Sequence, residues 1–224
     1  MIQIVDSATA KLDARLYKIC MVIARLGLAY LFFTQLWWKL PPSFGCSNDF
    51  AFPQPAAEDY WTGNGSGGLC YWMGIESIYA PQVRQVLVAD MRPAGLPRIG
   101  LTITPIAQAN ALIVDNVLIP NIQFFGWVIW LAEFWIFVSM LLGLFTRLGA
   151  LVSIGVVAQL WVSLANIPRP YEWEWAYGAI LLLSIALLGA AAGRFVGVDG
   201  WLRPRLAEPA GRGRLWAKLA LWMT

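Results

Sequence analysis

The chain has 224 residues, 59% of them apolar and only 13% charged, with a formal net charge of +3 and a mean hydropathy of +0.61. Soluble domains carry about 25% charged residues, so this composition excludes an ordinary soluble domain and defines a membrane protein. Histidine is absent, which removes the usual ligand of haem, chlorophyll and zinc and the usual proton shuttle near neutral pH.

Residues 1–16 carry Lys11 and Arg15 and form a cytoplasmic N-terminal segment. The apolar run that follows predicts a first transmembrane helix over 17–39, since about 20 helical residues cross the hydrocarbon core. It is too long for a signal-peptide core and ends in Leu36-Trp37-Trp38-Lys39 rather than a small-residue cleavage site, so it is read as a retained helix.

Residues 40–122 form a long outward-facing insertion. Its first part is rich in turns, with Pro41-Pro42, Pro53, Pro55 and the cluster Gly63-Asn64-Gly65-Ser66-Gly67-Gly68. No Lys-Ser/Thr follows the glycines, so they mark a turn and not a phosphate loop. Cys46 and Cys70 both lie here, where a disulfide can persist; a bridge is the main reading, with two free thiols as the alternative. Residues 74–91 carry apolar positions at roughly helical spacing, broken near Pro81, and place Val83, Val86 and Leu87 on a stripe against the membrane surface. Pro93 and Pro97 end it. Residues 101–119, interrupted by Pro105 and Asp115, are read as a docking segment leading into the second span.

Residues 123–203 hold three further spans, at 124–145, 149–166 and 175–195. Short connections favour antiparallel neighbours, so the fold class is an all-α membrane protein built on a four-transmembrane-helix bundle. The tail 204–224 carries Leu215, Leu219 and Trp222 on one face with Arg212, Arg214 and Lys218 around it, a C-terminal amphipathic interfacial helix for an anionic leaflet. Basic residues at both ends, with Arg147 in the second connection, place the N- and C-termini in the cytoplasm and the 40–122 loop outside.

Glu133 sits midway along an apolar run that has no other charge. At that depth an ionised group costs roughly 3 kcal/mol, so it needs a partner, a proton or a wet pocket. Arg25 lies about 8 residues into the first span, roughly 12 Å deep at 1.5 Å per residue, and pairs with Glu133 on this reading. The pair pins helix register or floors a ligand pocket, the pin being favoured. Trp37, Trp38, Tyr171, Glu172 and Glu174 gather aromatic and charged groups near the outer ends of the spans, with Trp161 deeper, as a quinone rim or as an ordinary aromatic belt. Gln159, Ser163 and Asn166 share one face of the third span. No metal site, nucleophilic triad or nucleotide motif is present in the sequence, and no nucleic acid is expected as a partner.

The stretch Glu133-Phe-Trp-Ile-Phe-Val-Ser-Met-Leu-Leu-Gly-Leu-Phe-Thr-Arg147-Leu resembles the DoxX/DoxD family. Arg25-Leu-Gly-Leu-Ala-Tyr-Leu-Phe-Phe followed by Lys39, Leu118-Ile-Pro-Asn121, and Ala192-Gly193-Arg194-Phe-Val-Gly-Val-Asp199-Gly-Trp-Leu202 are also similar. The resemblance covers roughly residues 17–39 and 110–203, and makes Arg25, Lys39, Glu133, Arg147 and Asp199 the family-motif positions. It implies a small membrane subunit like that of thiosulfate:quinone oxidoreductase, in a bacterial or archaeal plasma membrane. No intrinsic cofactor is expected beyond a quinone; membrane lipids and other subunits of a membrane complex are the expected partners. The insertion at about 45–109 and the tail depart from the family pattern and suit docking to a larger assembly. The alternative is a non-catalytic accessory subunit of a respiratory or photosynthetic complex.

Overall fold

A computed structural model describes residues 2–53, 68–168 and 173–224. The described chain is mostly helical. Helix α1 spans Ile2–Leu36 and closes on a 3-10 turn, Trp37–Lys39. In the insertion, α2 spans Gly68–Tyr79, and two strands follow, β1 (Gln85–Asp90) and β2 (Arg98–Thr102). Helix α3 (Thr104–Ile113) runs through a π-helical turn, Val114–Leu118, and a 3-10 turn, Ile119–Asn121, into α4 (Ile122–Leu142). Then come α5 (Thr146–Leu164), α6 (Glu174–Ala190), α7 (Val198–Gly211) and α8 (Leu215–Met223).

Three stretches of the described residues are long and apolar enough to cross a bilayer: Thr9–Lys39, Thr104–Leu142 and Thr146–Leu164; α6 is apolar but shorter, at 17 residues. The side chains agree with that environment. Ile23, Tyr30, Phe124, Leu131, Leu151 and Leu182 are large, apolar and exposed on these helices, an arrangement that water penalises and lipid accepts. The protein is membrane-embedded.

The contacts divide the chain into two compact units. One comprises residues 1–34, 133–154 and 182–224, the other residues 35–132 and 155–181. In the first, α4 ends and α5 begins across Gly143-Leu144-Phe145, three residues earlier than the predicted connection. The Ser139 hydroxyl donates to the carbonyls of Leu144 at 2.8 Å and Phe145 at 3.3 Å, which tightens the reversal. The hydroxyls of Ser153 on α5 and Ser184 on α6 meet at 2.8 Å, both fully buried. Small polar residues facing each other let two helices approach closely and satisfy one another out of reach of water.

The second unit contains the insertion, which carries a helix, a disulfide and a pair of strands. Cys46 and Cys70 are bridged, with Cα atoms 5.4 Å apart. Around the bridge Phe44, Leu69, Met73, Val114 and Ile122 form one apolar cluster. The helical stripe expected over 74–91 is corrected: the helix stops at Tyr79, and residues 85–90 are a strand. β1 pairs antiparallel with β2, Gln85 opposite Thr102 and Asp90 opposite Arg98, with a bulge between Val86 and Ala89. Val86 is buried while Val83 and Leu87 are exposed, because a strand alternates its faces where a helix would align them. The two strands depart from the all-α expectation. Pro105 and Pro120 do not break the α3–α4 run, because each sits at the first positions of a helical turn, where no backbone donor is needed.

Candidate functional site

In the first unit Arg25, Arg147 and Asp199 come together at the α4–α5 reversal. Asp199, at the start of α7, is fully buried. Its Oδ1 accepts from the Phe145 amide at 2.6 Å, and its Oδ2 accepts from the Thr146 amide at 2.9 Å and the Thr146 hydroxyl at 2.7 Å. The Asp199 amide donates in return to the Gly143 carbonyl at 2.8 Å. A carboxylate beside the first free amides of α5 answers both their missing partners and the positive end of the helix dipole. Glycine is required around this knot. Gly143 has φ +65°, and a Cβ there would strike the Arg25 guanidinium; a Cβ on Gly193 would come within 2.5 Å of Asp199 Oδ2.

Arg25 is 3% exposed and its Nη1 donates to the Ala192 carbonyl at 3.5 Å. Glu133 is likewise 3% exposed and belongs to the same unit. Both therefore face protein and not lipid, as an ionisable group in a bilayer must. Arg147 is half-buried and donates to the Trp222 carbonyl at 3.4 Å.

The second unit holds a buried polar nest in which Gln159 and Ser163, singled out in the sequence, meet Glu76 and Asn110, which were not. Glu76 on α2 is 6% exposed among apolar neighbours. Gln159 Nε2 donates to its Oε2 at 2.9 Å and also contacts Ser163 Oγ at 3.0 Å. Asn110 Nδ2 donates to the same Ser163 oxygen at 2.7 Å. Burial pushes the Glu76 carboxyl from 4.5 up to about 7, against the opposing pull of the Ser163, Gln159 and Asn110 hydrogen bonds and the nearby Arg84 charge. Arg84 is itself buried, with Nη2 donating to the Ala165 carbonyl at 2.6 Å. A carboxyl poised near neutrality can hold or release a proton at physiological pH. The signal in the sequence was a lone Glu within Gly68–Tyr79, a segment otherwise without charge.

Glu174, expected on a ligand rim, is 3% exposed. Its carboxylate accepts from the Leu87 amide, from the Val88 amide at 3.5 Å and from Asn166 Nδ2 at 2.7 Å. It holds the bulged strand β1 against the start of α6. Trp161 packs beside Val86, Ile103 and Ala165. Trp37 is 58% exposed; Trp38 bonds Gln35 through its indole at 3.1 Å, and the buried Lys39 ammonium lies 4.5 Å from its ring centre. Tyr171 and Glu172 lie outside the described residues, as do Arg169 and the glycine cluster before Gly68.

An open crevice of about 540 Å³ lies elsewhere in this unit, lined by Pro42, Ser43, Ser47, Asn48, Phe50, Gln123 and Trp127. Trp127 makes its wall with Phe44 edge-on at 5.9 Å. Phe50 and Trp127 offer flat apolar surface, and the Asn48 and Gln123 amides offer donors and acceptors. Of the expected rim residues, the described ones (Trp37, Trp38, Trp161 and Glu174) are not among its lining. Among the described residues no group of three or more Cys, Asp or Glu side chains is placed to hold a metal ion.

These features define a membrane-embedded helical protein with a disulfide-closed, partly β insertion and two buried polar centres. No protein-family model, curated protein or solved structure matches the chain.

Proposed function

We propose that this chain is a DoxX-like integral membrane subunit of a quinone-linked electron-transfer complex in a bacterial or archaeal plasma membrane. On this proposal α6 is the fourth membrane span, the termini are cytoplasmic, the 40–122 segment lies outside and α8 rests in the interface. The observation that carries the quinone reading is the crevice at Phe50 and Trp127, where aromatic surface meets the Asn48 and Gln123 amides. A quinone head group needs that combination of stacking area and hydrogen-bond partners. The Cys46–Cys70 bridge supports an outward insertion, since disulfides persist in oxidising compartments.

A second reading is a non-catalytic accessory subunit of a larger respiratory or photosynthetic complex. It is favoured by the commitment of Asp199 and Glu174 to backbone amides, which leaves neither carboxylate for chemistry.

Purification from native membranes separates the two. On the first reading the chain, isolated with one small electron-donating partner, reduces an added quinone, and Gln123→Leu weakens quinone binding severalfold. Stoichiometric recovery with a large complex whose quinone activity ignores Gln123→Leu selects the accessory role.

A further inference from the structure

In the first unit, three arginines from three different elements meet at one end of α8. Arg194, in the turn after α6, donates through Nε to the Thr224 carbonyl at 2.6 Å. Arg147, the second residue of α5, reaches the Trp222 carbonyl at 3.4 Å, and Arg203 on α7 reaches the Leu221 carbonyl at 3.4 Å. We propose that Arg147, Arg194 and Arg203 form a binding site for the phosphodiester of an anionic membrane lipid.

Charge is the first argument. The end of a helix carries about half a negative charge, and even with a full carboxylate charge on Thr224 added, that is less than three guanidiniums supply. The side-chain carboxylate whose charge acts on Arg194, that of Asp199, is committed to the amides of Phe145 and Thr146. Glu208 pairs with Arg212 on the exposed side of α7. The crowding registers on Arg194 itself: burial and then the Arg203 and Arg147 charges draw its pKa down, with Asp199 opposing them. An arrangement that holds like charges together invites an anion between them.

Geometry is the second argument. Each of the three donates to a backbone carbonyl, which fixes the guanidinium, while each side chain stays only half-buried. A guanidinium has five N–H donors in a rigid fork suited to phosphate oxygens, so donors remain on the open side.

Location is the third. Arg147 opens the span Thr146–Leu164, so the cluster lies at the end of a membrane helix. Trp201, Trp216 and Trp222 are exposed at 59%, 56% and 48% on α7 and α8, beside exposed Leu215 and Leu219. Exposed tryptophans of this kind seat in the headgroup layer. The apolar flank distinguishes a lipid phosphate from a free one, because acyl chains have somewhere to lie.

The test is native mass spectrometry of the full chain in detergent with phosphatidylglycerol or phosphatidylcholine of identical acyl chains. Phosphatidylglycerol should be retained preferentially, and Arg147→Gln with Arg203→Gln should lower that preference about 25-fold, about fivefold for each arginine removed. The single Arg203→Gln variant serves if the double variant does not fold, as judged by its helical circular dichroism. Equal retention of the two lipids, or a preference unchanged in a folded variant, overturns the proposal. Displacement of phosphatidylglycerol by inorganic phosphate alone also overturns it, since the site then takes a free anion.

Discussion

Asp199 illustrates how a single side chain is used here. It accepts three hydrogen bonds from two consecutive residues at the head of α5 while its own amide returns one to Gly143. Asp199→Asn keeps the size but replaces one of the two accepting oxygens with an NH2 donor, which then faces a donor it cannot bond. We expect a loss of roughly 2–3 kcal/mol, read as a lower thermal midpoint in detergent; an unchanged midpoint contradicts the capping role. Glu76 gives a pH prediction of definite sign. With its folded pKa raised from 4.5 to about 7, the native state keeps a proton that the unfolded chain releases between those values. Stability therefore falls as pH rises through that window, by about 3 kcal/mol, and levels off above it. Glu76→Gln removes this slope and stabilises the protein above pH 7. Unfolding curves from pH 4.5 to 8 that stay parallel for the two proteins would refute the assignment.

Among the elements, the insertion owes its order to one covalent link and one hairpin. The Cys46–Cys70 bridge closes a separation of 24 residues, which by chain entropy stabilises the fold by about 3 kcal/mol. Replacing both cysteines with serine should lower the midpoint accordingly and abolish its response to reductant; a wild-type midpoint indifferent to reductant speaks against the bridge as a stabiliser. The hairpin was not legible from periodicity. Residues 85–90 are too few to separate a helical stripe from an alternating strand, and the bulge at Leu87 breaks the alternation that remains. The polar face of the predicted third span, 149–166, by contrast, was visible as Gln159, Ser163 and Asn166. What the sequence lacked was the identity of their partners: Glu76, Asn110 and the Gln85 carbonyl come from distant segments, and only Glu174 is near, eight residues from Asn166.

For the whole molecule, the proposed four-span topology has a direct test in reporter fusions. A reporter that is active only when exported should work when joined in the β1–β2 connection near Leu96 and fail at the C-terminus. Activity at both places, or at neither, removes the proposed sidedness. The measurement also decides the standing of α6, whose 17 residues sit at the lower limit for a span.

Composition alone determined that this is a membrane protein, because a chain that is 59% apolar has too little polar surface to face water. The order of residues along the chain also marked four apolar runs, three of which overlap the stretches long enough to cross a bilayer, and the isolation of Glu133, since length and charge along a helix are local properties. Tertiary structure decided which polar groups meet. Asp199 lies 53 residues from Thr146, and Glu76 lies 83 from Gln159. In the buried interior each polar group must find a partner wherever the chain returns, and no local pattern records where that is.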